Sequence, residues 1–91
     1  MYRLLIVEDD RGIAEGVREQ AEAWDITAHI VTDFHNVMAE FSRFDPHIVL
    51  LDISLPFFNG YHWCGEIRRV SNVPVIFISS AADNMNMIMA M

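Results

Sequence analysis

Cysteine is almost missing from this chain of 91 residues: Cys64 stands alone. No disulfide can close within the chain, and a cysteine-based zinc site is excluded. The place of Cys64 on a helical spacing reads it as a small buried apolar residue and not as a nucleophile. Long hydrophobic runs are missing too. None approaches the roughly 18–20 residues of a membrane span, and a strand-like run begins almost at once, leaving no signal peptide. The expected compartment is the cytoplasm. Basic charge is scarce: six Lys and Arg face thirteen Asp and Glu, for a net charge of −7. That balance argues against nucleic acid as a direct partner of this segment. Repeats, low-complexity tracts and linkers are likewise absent. What remains is one domain, with a hydrophobic content of 53%, ample for a core.

The segments alternate. Tyr2 to Val7 reads as a strand. Ile13, Ala14, Val17, Ala21 and Trp24 recur at helical spacing between about Arg11 and Trp24. Ile26 to Val31 is a second strand. Asp33 is placed to cap a helix from Phe34 to Phe44 with Val37, Met38, Phe41 and Phe44 inward. Asp45-Pro46 ends it. His47 to Leu51 is the third strand, followed by a loop with Pro56 and Asn59-Gly60. Tyr61 to Val70 is a helix with Cys64 and Ile67 inward and Trp63 facing the surface or a partner. Val75 to Ile78 is the fourth strand. Asp83 then caps a last helix, in which Met85, Ile88 and Met89 pack on the sheet. Such alternation implies right-handed crossovers and a parallel α/β sheet covered on both faces.

Two of the short branched runs end in acid. Leu4-Leu5-Ile6-Val7 leads into Glu8-Asp9-Asp10, and Ile48-Val49-Leu50-Leu51 leads into Asp52. Ligands of open parallel sheets bind beyond the carboxyl ends of the strands, where strand order reverses. With an order 2-1-3-4, the reversal lies between strands 1 and 3, so Glu8, Asp9 and Asp52 converge there. Converged carboxylates repel each other unless a cation sits among them. Mg2+ takes about six oxygen ligands and keeps several waters. Asp9 and Asp52 can supply carboxylate oxygens, the Ser54 backbone carbonyl a third ligand, and Glu8 a contact through water. Asp10 is assigned to the cap of the first helix. An aspartate beside such an ion can act as a nucleophile toward phosphorus. Asp52 has that position, and the hydroxyl of Ser79, directly after Ile78, can then follow the phosphoryl charge. Ser80 next to it leaves the identity of that hydroxyl open.

These residues resemble the receiver domain of bacterial two-component response regulators. The resemblance runs through the whole chain: Leu-Leu-Ile-Val-Glu-Asp-Asp at the start, Ile-Val-Leu-Leu-Asp-Ile-Ser-Leu-Pro-Phe-Phe-Asn-Gly in the middle and Val-Pro-Val-Ile-Phe-Ile-Ser-Ser near the end. It implies a flavodoxin-like, doubly wound parallel sheet over residues 1–91, with Asp9 the direct metal ligand beside Glu8. It also implies Asp52 as phosphoacceptor and Ser79 at the hydroxyl position. Asn59 stands where an aspartate is usual. A sensor histidine kinase is the implied donor, and DNA the implied target of a domain downstream. The stretches Trp63 to Arg68, Ser71 to Pro74 and Asn84 to Met91 are similar to winged-helix regulators answering cell-wall-active antibiotics and antimicrobial peptides. The family's fifth strand, its terminal lysine and switch aromatic, and the fifth helix are not in this chain. The receiver is therefore expected to be incomplete, with strand 4 an open edge that invites a swapped or strand-complemented dimer.

Other readings of the same residues are weaker. An aspartyl-phosphate hydrolase needs a second aspartate two positions after the first, where this chain has Ser54. A flavin-binding domain would meet repulsion from Glu8-Asp9-Asp10. A non-phosphorylated interaction module is opposed by the intact acid set and supported by the missing lysine. No enzymatic activity is expected beyond self-phosphotransfer and self-dephosphorylation. His29, His35, His47 and His62 show no ligand spacing. Gly65 within a helix is accounted for only by close packing.

Overall fold

Alternate residues of each short strand face opposite sides, and both sides are apolar, as a sheet covered on both faces requires. Leu5, Val7, Val49, Leu51, Val75 and Phe77 join one buried cluster, and Ile6 joins another with Ala14 and Ile30. The computed structural model describes residues 1–79 and 86–90. The elements are β1 (Arg3–Val7), α1 (Arg11–Ala23), β2 (Thr27–Ile30), α2 (Val37–Phe44), β3 (Ile48–Asp52), α3 (Gly60–Val70), β4 (Val75–Ser79) and β5 (Asn86–Ala90). The sheet order is β2-β1-β3-β4-β5. The first four strands are parallel neighbours in the expected order 2-1-3-4. Among the described residues no helix is long and apolar enough to cross a membrane.

The tail departs from expectation. Residues Asn86–Ala90, expected in a helix, form β5 and pair antiparallel with β4 from Val75↔Ala90 to Ser79↔Asn86. Strand pairing against the otherwise open side of β4 outweighs the local helix preference of the segment. β4 is thus not the free edge on which a strand-complemented dimer was expected. The cap at Asp83 and the packing of Met85, Ile88 and Met89 lie outside the described residues and side chains.

Helix starts follow their capping groups. Asp10 caps α1 as expected, its Oδ1 accepting from the Ile13 amide at 3.1 Å. α2 starts later than expected, with Asn36 and not Asp33 as cap. The reason is Glu40: its carboxylate accepts from the amides of Thr32 and Asp33, which holds that stretch outside the helix. Arg3 then closes the other end of α2, its Nε donating to the carbonyls of Phe44 and Asp45. α3 begins at Gly60, capped by the Asn59 side chain.

Three side chains sit elsewhere than the sequence implied. Trp63 is buried, not partner-facing, and the rings of Phe58 and His62 meet it edge-on. It shares the inward face of α3 with Ile67, one turn on. Cys64 is only half-buried against the core. Trp24 follows the last turn of α1 and is 77% exposed, where Asp25 at φ 60° turns the chain away. Beside it an apolar groove of about 520 Å³ runs along α1, lined by Ile13, Val17, Ala21 and Leu50 among others. Among the described residues nothing lies within 4 Å of a Cβ built on Gly65, so close packing there does not explain that glycine.

Candidate functional site

The parallel register of β1 and β3 decides the site. Val7 pairs with Leu51, so the next residue of each strand, Glu8 and Asp52, emerges at the same edge. Ligand atoms of Glu8, Asp9 and Asp52 all lie within 4.8 Å of one another. Glu8 and Asp52 are each only 1% exposed, whereas Asp9 is open to solvent. The structure therefore brings together the three acids that the sequence singled out.

The backbone around them is tied down. The Ser54 amide donates to Asp52 Oδ1 at 3.1 Å, and the Ile53 amide to the Ile78 carbonyl at 3.0 Å. The second bond joins the loop after β3 to β4 one residue before Ser79. Glu8 Oε2 accepts from the Asp10 amide at 3.1 Å, while Glu8 Oε1 is buried with no hydrogen-bond partner among the described residues. Burial is the main force on Glu8 and pushes its pKa up. The Asp10 amide works against it, and the neighbouring Asp52 and Asp9 add to it, leaving Glu8 at about 8.

This donor set suits a hard cation. Three carboxylates, two buried and one exposed, offer only oxygen, which matches Mg2+ or Ca2+ better than a soft metal. A cation would also satisfy the orphaned Glu8 oxygen, whose isolation otherwise costs stability. Ser54 lies on the loop rising from Asp52, with its amide already committed to that carboxylate. Ser79 ends β4 beside Asn86 in register, and its hydroxyl lies outside the described side chains.

Sequence reasoning missed three features, of which Gly60 touches the site directly. Gly60 packs on the Asp52 backbone, where a Cβ would collide with the Asp52 carbonyl oxygen. The Gly60 amide also donates to the Ile53 carbonyl at 2.9 Å, closing the loop that Asp52 opens. Glu40 is buried although charged, and its signal was legible: it interrupts the apolar stripe Val37, Phe41, Phe44. The third, a stack between His35 and Phe57, joins two loops and had no sequence signal.

Comparison with known proteins agrees with this geometry. Residues 4–91 match the response regulator receiver domain family. The chain is 43% identical over 90 residues to the transcriptional regulatory protein YvcP of Bacillus subtilis, covering 99% of this chain and 38% of that protein. It is 40% identical over 89 residues to the response regulator protein GraR of Staphylococcus aureus, covering 98% of this chain and 40% of GraR. Among solved structures, the N-terminal domain of the nisin resistance regulator NsrR, a lantibiotic response regulator, superposes with a TM-score of 0.82 at 37% identity. That match covers 94% of this chain and 73% of the NsrR domain. The chain thus spans about two fifths of the length of the curated relatives it matches. A parallel sheet that gathers three acids at its carboxyl edge, and a family match that runs over nearly every residue, lead to one assignment: the chain belongs to the response regulator receiver domain family.

Proposed function

We propose that Asp52 is the phosphoacceptor of this receiver. Glu8, Asp9 and Asp52, with the Ser54 backbone carbonyl, are the proposed ligands of Mg2+. The observation that carries this reading is the convergence of those three carboxylates within 4.8 Å at the mouth of the sheet. The donor is a phosphohistidine on a sensor histidine kinase. An Asp52 carboxylate oxygen attacks phosphorus in line, the P–N bond breaks, and the imidazole leaves with the electron pair and takes up a proton. When bound, the divalent ion neutralises charge on the phosphoryl oxygens and on the carboxylates. Asp52 is held for the attack by the Ser54 amide on Oδ1 and by the loop closure at Gly60. Self-dephosphorylation is the reverse demand, with water attacking the acyl phosphate.

The signal then leaves through β4. The Ser79 hydroxyl is the proposed sensor of the new charge, and the Ile53–Ile78 hydrogen bond supplies a route from the phosphoacceptor loop to that strand. In the whole protein, a C-terminal DNA-binding domain would read the change in the cytoplasm. YvcP and GraR, a transcriptional regulatory protein and a response regulator, support that output. The likeness to NsrR, a lantibiotic response regulator, supports a stimulus among cell-wall-active antibiotics or antimicrobial peptides.

The test is intact mass after incubation with a small-molecule phosphodonor and Mg2+. One added phosphoryl group is expected for the wild type and none for Asp52→Asn. Modification that persists in Asp52→Asn would remove Asp52 from the role.

A further inference from the structure

The loop between β3 and α3 contains a backbone conformation that the acid cluster alone does not require. Phe57 has φ 69°. The Phe58 amide donates to the Pro56 carbonyl at 2.8 Å across it. A hydrogen bond spanning one residue at positive φ makes the rarer and more strained form of the γ-turn. A bulky aromatic residue is a steric outlier there, because its Cβ crowds the backbone. Burial does not explain why Phe57 accepts this, since it is 65% exposed.

What meets the Phe57 ring is His35. The two rings stack with centroids 3.5 Å apart and planes 27° from parallel. His35 belongs to the segment between β2 and α2, and that segment is anchored. The His35 amide donates to Asp33 Oδ1 at 3.0 Å. The amides of Asp33 and Thr32 donate in turn to the buried Glu40 carboxylate, which also meets His29 Nε2 at 2.7 Å. One ring of the stack is therefore fixed to α2, and the other caps a strained turn. Both feet of that turn's loop stand at Asp52, through the Ser54 amide on its carboxylate and through Gly60 on its carbonyl.

We propose that His35 and Phe57 are positioning residues for the metal site: their stack holds the strained turn, and the turn holds the Ser54 carbonyl in place for the ion. The proposal rests on the metal reading above. Without the stack, the turn relaxes to negative φ at Phe57, the loop redistributes, and the fourth ligand is lost from its position. Glycine at residue 57 adopts positive φ without strain, so it removes the need for the clamp.

Mg2+ titration by calorimetry tests this, with amide hydrogen exchange at Phe58 as a readout that needs no metal. His35→Ala should weaken Mg2+ affinity about two- to tenfold, the range of one aromatic pair, and speed exchange at the Phe58 amide. His35→Phe should restore both, since it keeps the stack. In a Phe57→Gly background, His35→Ala should change neither. Unchanged affinity and exchange in His35→Ala, or an equal loss in the Phe57→Gly background, would overturn the clamp while leaving the metal site standing. A wild type that fails to bind Mg2+, or an Asp9→Asn variant that binds it equally well, would overturn the metal reading and the proposal with it.

Discussion

Gly60 rests against the backbone of Asp52 so closely that no side chain fits between them. A Cβ at residue 60 would collide with the Asp52 carbonyl oxygen and stand 3.0 Å from Ile53 Cα. Gly60→Ala is therefore expected to lower stability by about 1–3 kcal/mol, the cost of forcing atoms into a packed site, and to slow phosphorylation of Asp52. Gly65 supplies the contrast. It also lies in α3 but faces open space, so Gly65→Ala should stabilise by about 0.5–1 kcal/mol through helix propensity. Urea unfolding of the two variants reads the difference directly.

The acid cluster predicts a trade between stability and metal binding. Glu8 is buried beside two other carboxylates and keeps one oxygen without a partner among the described residues. Above a pH of about 8, where Glu8 is ionised, Glu8→Gln replaces that charge with an amide that can donate to its neighbours. In metal-free buffer the variant should unfold about 1–3 kcal/mol later than the wild type, the usual cost of an unsatisfied buried polar group. In saturating Mg2+ the order should narrow or reverse, because ligand stabilises only the form that binds it. Melting with and without Mg2+ decides the matter.

Glu40 gives the pH prediction. Burial pushes its pKa up, but the amides of Asp33 and Thr32 and the His29 ring together outweigh burial and hold it below the ordinary 4.5. A carboxyl depressed in the fold contributes stability that is fully present above its unfolded pKa. That stability is lost as pH falls through the depressed folded value. Glu40→Gln should thus cost about 1–3 kcal/mol at neutral pH, and the gap to wild type should close as the pH drops below about 4.5. Denaturant midpoints measured across the acid range would show whether the gap closes.

Trp63 carries a donor that meets no acceptor among the described residues: its Nε1 is buried with no hydrogen-bond partner there. Trp63→Phe gives up some buried area but also removes an unsatisfied N–H, so the net change should stay within about 1 kcal/mol. The variant keeps only Trp24, which is 77% exposed. Its emission should be red-shifted and easily quenched by acrylamide, whereas Trp24→Phe should leave a blue-shifted, protected signal.

The strands and the acid set were legible because their signals are local. Short branched runs such as Ile48 to Leu51 end in acids, and one topology rule brings Glu8, Asp9 and Asp52 to the same edge. What escaped was decided by which partner each segment met in the fold, and no periodicity records that. β5 formed because β4 offered a ladder, which the alternation of the tail suggested and its helix formers masked. The start of α2 moved because the Glu40 side chain reached back to two amides. Trp63 turned inward because Phe58 and His62 surround it, and an aromatic ring in a sequence does not announce which side it will face.

The pairing of β4 with β5 also bears on how the sheet assembles. Each parallel ladder joins strands separated by a whole helix, so a long stretch of chain must close before the first rung forms. β4 and β5 are separated only by residues 80–85. Hairpins of that kind zip in roughly 1–10 μs, ahead of any crossover. The sheet therefore acquires one rim by a local event, and that rim can screen β4 from stray chains while the slower interior is still finding its order.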